Sequence, residues 1–194
     1  MDCTGLEADI LNSCANKPKG GLEANAVIIR KTDIDLVTTT IDVSNKLLVT
    51  SLACVSGATG FLVESIKQLQ GVNWELIVKP TSVDKFKQSF LGVLMNPTAA
   101  NKLSLDGLLD GTPYVVVVEK LWKGTASADA FEVLGLDSGL YPATAVGNSQ
   151  ENDGIISFSL ASADGYEEDT MPKTLLDTDY ATTKIAFTNK FATA

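Results

Sequence analysis

"YVVVVEKLWKGTASADAFEVLGL", residues 114–136, is the stretch on which the fold turns. It opens with an aromatic residue and four consecutive valines, branched side chains that pack well on a pleated surface. "YVVVVEKLW" (114–122) is the strongest strand signal in the chain. "AFEVLGL" (130–136) follows after a loop containing Gly124, which predicts an antiparallel pair.

Working outward, the same signals recur on both sides. "NAVIIRK" (25–31), "IDLVTTTIDV" (34–43) and "KLLVTSLACV" (46–55) are rich in Val, Ile and Thr. In "GVNWELIVKP" (71–80) Val72, Trp74, Leu76 and Val78 alternate with Asn73, Glu75 and Lys79, and Pro80 ends the run. Core packing is the expected role for Trp74 and Trp122. "FLVESIKQL" (61–69) reads either as a strand or as one short helix. Downstream, "GIISFSLAS" (154–162) sets Ile156, Phe158 and Leu160 on one face and Ser157, Ser159 and Ala161 on the other. "TKIAFTNKF" (183–191) is a last candidate strand.

One segment reads as helix. In "SVDKFKQSFLGVLMN" (82–96) Val83, Phe86, Phe90 and Leu94 recur at spacings of three and four, and Leu91 widens the stripe. Thr81 or Ser82 is placed to cap it and Asn96-Pro97 to stop it, before a polar loop with two Asp-Gly pairs. The expectation is a mainly β (α+β) fold: an antiparallel β-sandwich or barrel of about seven or eight strands with one flanking helix over 82–96. Residues 1–24, ending in "NKPKGG", read as an N-terminal arm suited to an inter-subunit contact, and residues 25–194 as a single β-rich domain.

Composition narrows the chemistry. Hydrophobic residues make up 45% of the 194 and charged residues 20%, a globular balance. The net charge is −9, and it is lopsided: residues 1–97 carry 10 acids against 9 bases, residues 98–194 carry 14 against 6. Arg30 is the single arginine, so the clustered basic surface that grips phosphates is missing. The three cysteines, Cys3, Cys14 and Cys54, are too few and too scattered for a disulfide framework and fit synthesis in a reducing cytoplasm. The start lacks the pattern of a signal peptide, and no apolar run has the length of a membrane-spanning helix.

The chain contains no histidine, which removes the commonest general base and a common metal ligand. "GLDSG" (135–139) carries Asp137 where a nucleophile elbow needs serine, and reads as a turn in which Gly135 or Gly139 takes a positive φ. Of the acidic loops "SQENDG" (149–154) and "DGYEED" (164–169), the first fails the EF-hand register: with Gly154 at position six, position one falls on Ser149 and position twelve on Leu160. Irregular calcium binding and plain solvated loops are both open readings of these acids. No catalytic, cofactor-binding or metal-binding residue is assigned, and the chain is not expected to be an enzyme.

"YVVVVEKLWKG", "AFEVLGLDSGLYP" and "NDGIISFSLASADGYEEDTMPKTL", with Glu167, Glu168 and Pro172 in the last, give an order of elements that resembles a known group. Over roughly residues 60–191 it resembles the tail-tube and related ring-forming structural proteins of tailed bacteriophages. The opening "MDCTGLEADILNSC" is similar to short structural genes from phages of gut Bacteroidetes. The resemblance implies a small β-sandwich flanked by a helix, a hexameric ring stacking on identical or related rings, and a channel for phage DNA as passing cargo. It implies neighbours among tail, neck or head–tail connector proteins, a place in the virion after synthesis in the host cytoplasm, and no catalytic residues or cofactors. Asp and Glu at 151–153 and 164–169 would then line the lumen. The competing reading is a monomeric β-sandwich binding module for carbohydrate or calcium.

Overall fold

The computed structural model describes residues 9–10, 17–65, 69–150 and 154–193. Most of the expected arm, including Cys3 and Cys14, and the acids at 151–153 lie outside the described residues. Eleven strands and two α-helices are described: β1 (Leu22–Arg30), β2 (Thr40–Ile41), β3 (Leu48–Ser51), β4 (Phe61–Glu64), β5 (Gly71–Ile77), β6 (Lys85–Leu94), α1 (Ala99–Leu108), β7 (Tyr114–Lys120), β8 (Phe131–Leu134), β9 (Tyr141–Gly147), β10 (Ile156–Ala161), β11 (Lys173–Leu175) and α2 (Tyr180–Thr188). The class is mainly β with two helices.

The strands form a seven-stranded sheet, β2-β3-β11-β8-β7-β1-β4, and a four-stranded sheet, β5-β6-β10-β9. The larger is mixed, because β11 pairs parallel with β3; the smaller is antiparallel throughout. Among the described residues neither sheet closes on itself. The expected β7–β8 pair is present, Val117 opposite Val133.

β7 explains why its sequence is a continuous apolar run rather than an alternation. Both of its faces are buried. On one, Val115 and Val117 join Val27, Ile29, Phe131 and Val133 under Phe187 of α2 and the following Phe191. On the other, Val116 and Val118 join Ile28 and Leu134 against Phe90, Phe158 and Leu160 of the four-stranded sheet. The molecule is therefore layered: small sheet, large sheet, then α2. Each buried Val, Leu or Phe contributes about 1.5–3 kcal/mol relative to exposure.

Four expectations are corrected. Residues 82–96 do not form a helix: Lys85–Leu94 is β6, the central partner of both β5 and β10. Residues 183–191 do not form a strand: α2 begins at N-cap Asp179, whose carboxylate accepts from the Thr182 N–H at 2.7 Å. The polar loop before 114 contains α1, capped by Thr98, whose hydroxyl accepts from the Asn101 N–H. The first strand also starts at Leu22, inside the expected arm.

Candidate assembly interface

The four-stranded sheet has a built interior and two open margins. Phe90, Phe158 and Leu160 fill its inner face, and Phe158 meets Phe90 edge-on at 6.4 Å. Gly92 sits opposite Phe158 on the same face and leaves room for its ring. Gln88 also points inward and is buried; its Oε1 accepts from the Gly135 N–H, and its amide donates to the Thr170 carbonyl.

β5 and β9 form the two margins, and each is seven residues long. Because every pair in this sheet is antiparallel, β5 and β9 run in opposite directions. Among the described residues no further strand pairs with either outer edge.

The two margins differ in side-chain size. On β5, Val72, Trp74 and Leu76 lie opposite Phe90, Gln88 and Phe86, so they belong to the inner face. Val72 packs against the interior cluster, but Trp74 and Leu76 remain 44% and 51% exposed, and Val78 beyond them 68%. The expectation that Trp74 is a core residue is corrected: its ring meets Phe86 edge-on, centroids 6.0 Å apart, and 44% of the residue stays exposed. On β9 the inner-face positions are small. Ala145 lies opposite Phe158 and Gly147 opposite Ile156. A register shift and Pro142 disturb the Tyr141 end, leaving Thr144–Gly147 as the regular portion.

The acids at 164–169 do not form a free negative loop. Asp164 pairs with Lys87 at 3.6 Å, Glu167 with Lys79 at 2.8 Å, and Asp169 with Lys85. These pairs strap the segment to the β5–β6 hairpin. Glu168 turns inward, only 1% exposed. Its carboxylate accepts from three successive backbone N–H groups: Ser138 at 2.7 Å, Asp137 at 2.9 Å and Gly139 at 3.2 Å. Burial pushes its carboxyl above the usual range, although these N–H groups and Lys173 favour the charge. The turn it holds is the expected glycine turn, with φ of 73° at Gly135 and 93° at Gly139.

A second buried carboxylate, Glu119 on β7, ties α2 to the large sheet. It accepts from Lys123 at 2.6 Å, from the Tyr180 hydroxyl at 2.7 Å, and from Lys184. Burial opposes its charge, but these partners outweigh burial and hold it below the ordinary carboxylate range. Both clusters clamp elements together; neither presents a free nucleophile. Cys54 is buried, and burial raises its thiol. Trp122 is half-buried, with the Lys120 ammonium 5.7 Å from its ring centre.

An open groove of about 820 Å³ lies along β4, α1 and the end of β6, lined by Phe61, Leu62, Leu94, Leu105, Leu108 and Tyr114. Arg30 stacks over Phe61 at 5.6 Å beside it. Among the described residues no group of three or more Cys, Asp or Glu side chains is placed to hold a metal ion, and no helix is long and apolar enough to cross a membrane.

No family model, no curated protein and no solved structure matches this chain. The sequence reading placed β5 but missed β9, where small residues and Pro142 hide the alternation that marks a strand. The Thr144 and Ser159 hydroxyls, 2.7 Å apart, mark the polar face of the β9–β10 pair, a contact that only the folded chain shows.

Proposed function

We propose that this chain is a virion structural subunit, a sandwich-type protein of the phage tail-tube kind. Copies of it join edge to edge into a ring or tube through which phage DNA passes. The observation that carries the reading is the four-stranded sheet with two open margins of equal length and opposite direction. An even number of antiparallel strands lets β5 of one copy meet β9 of the next in antiparallel pairing, and repetition of that head-to-tail contact generates a ring if the rotation closes. Pro142 and the register shift beside it blunt the Tyr141 end of β9, which leaves Thr144–Gly147 and β5 as the margins open to a partner strand.

Shape supports the same reading. At about 4.8 Å per strand the small sheet is roughly 19 Å wide and the large one roughly 34 Å. A copy is thus a wedge, and closure through the small sheets sets them innermost. Their outer face then lines the passage with Asn73, Glu75, Lys87, Ser89, Leu91, Thr144, Val146, Ser157 and Ser159, where Glu75 lies directly opposite Lys87. Such a wall mixes hydroxyl and amide groups with the exposed Leu91 and Val146, its Glu75 and Lys87 offset each other, and it offers no cluster of cations to hold a polyanion. The acids at 164–169 add little to it, because their charges are spent on lysines and on the turn.

In this reading the protein is made in the bacterial host, resides in the tail or neck of the virion, and has other tail or neck proteins as neighbours. It works without catalysis or cofactor. Light scattering and negative-stain electron microscopy of the purified chain test it. The expected outcome is a closed cyclic oligomer, hexameric as the resemblance implies. A strict monomer at high concentration and no ring of this chain in particles would end the proposal.

A further inference from the structure

If copies join through their small sheets, the margins themselves select the register. This inference rests on the ring reading above. Strand pairing preserves faces, since a one-residue slip would turn every inner side chain outward. Even-numbered positions of β5 point inward, as do Ala145 and Gly147 of β9. A β5 residue that faces the core must therefore meet an odd-numbered β9 residue. Pairing through the regular portion of β9, with Pro142 left at the end of the contact where its missing N–H costs least, sets Val72 opposite Gly147 and Trp74 opposite Ala145. On the outer face the same register sets Asn73 opposite Val146 and Glu75 opposite Thr144.

We infer that the exposed Trp74 of one copy packs over the Ala145–Gly147 strip of a second copy, as the anchor of the subunit contact. Large side chains on one margin and small ones on the other are complementary in volume. Their pairing extends the Phe90–Phe158 interior across the boundary between copies. Half-exposed tryptophan is costly in water and is the residue type most enriched among energetic anchors of interfaces.

Two variants test this on the full chain. Glu75→Cys/Thr144→Cys, with Cys3 and Cys14 replaced by serine, places thiols directly opposite across the predicted contact. Within one copy these positions lie on opposite margins, about 14 Å apart across three strand spacings, too far to bridge. Oxidation is expected to give a ladder of disulfide-linked multimers ending in one closed species, whereas either single variant stops at dimers. Trp74→Ala is expected to melt near the parent temperature while raising the concentration needed for assembly by about tenfold or more. Rings that form without the ladder, or that assemble equally well without Trp74, overturn the inference and leave the ring reading intact. A parent protein that stays monomeric overturns both. If Trp74→Ala does not fold, the cysteine pair, which retains the tryptophan, decides.

Discussion

Gly92 faces Phe158 directly across the β6–β10 pair, and a methyl group at position 92 would lie 2.8 Å from the Cε1 carbon of that ring. Phe158 is itself pinned by Phe90 and by the large sheet, so it has nowhere to move. Gly92→Ala is expected to destabilise the fold by about 1–3 kcal/mol, the usual cost of overpacking a dense core. At about 2–4 °C per kcal/mol for a chain of this size, a thermal melt reads the effect directly. An unchanged melting temperature would show that the two sheets meet less tightly than described.

Glu168→Gln preserves shape but replaces an acceptor oxygen with a donor. Oε1 serves Ser138 and Gly139, and Oε2 serves Asp137, so one amide N–H must be left facing a buried donor. A loss of about 1–3 kcal/mol is expected. Faster amide exchange at 137–139 should accompany it, measured by hydrogen–deuterium exchange beside a urea titration. Equal exchange at those three amides would mean that the carboxylate is not what holds the turn.

For Glu119 the expectation depends on pH. Its folded carboxyl titrates below the ordinary range, so its stabilisation is present above the unfolded value and is lost as pH falls through the folded one. Glu119→Gln should therefore cost about 1.5–3 kcal/mol near pH 7. The gap to the parent protein should close in acid. Urea midpoints of both proteins between pH 7 and pH 3 provide the measurement, and a gap independent of pH would show that the ion cluster contributes only packing.

Cys54 is enclosed, and its thiol is shifted upward by burial. With Cys3 and Cys14 replaced by serine, the remaining thiol is expected to resist a water-soluble maleimide at pH 7 and to react fully in denaturant. Labelling of the folded chain at the rate of free cysteine would place position 54 at the surface.

The strands with unbroken signals were legible: β1, β5, β7, β8 and β10 all follow branched or alternating residues. Two of the misread segments, 82–96 and 183–191, share one cause. In β6 the residues Phe86, Phe90 and Leu94 are four apart, a spacing that suits both a helix stripe and alternate positions on one face of a strand. The positions that would have broken the tie, 88 and 92, carry a glutamine and a glycine. Each has its own tertiary reason to be there, one feeding two backbone groups and the other clearing Phe158. In α2 the buried Thr183 and Phe187, with Phe191 beyond, repeat the same spacing of four, and here the helix wins. The decisive mark was Asp179 with Thr182 three residues on, a capping pair overshadowed by β-branched neighbours. The margins were harder still, because nothing in "YPATAVG" tells a reader that small residues face the core side of an unfinished sheet.

The double burial of β7 leaves the middle of this protein almost no latitude. A polar side chain anywhere from Val115 to Val118 would land in apolar surroundings, whichever way it pointed. Mutational drift is thereby confined to the periphery, to the short outer strands and the loops. If a lineage of such chains changes whom it associates with, it will do so there, while its centre stays recognisable by its valines.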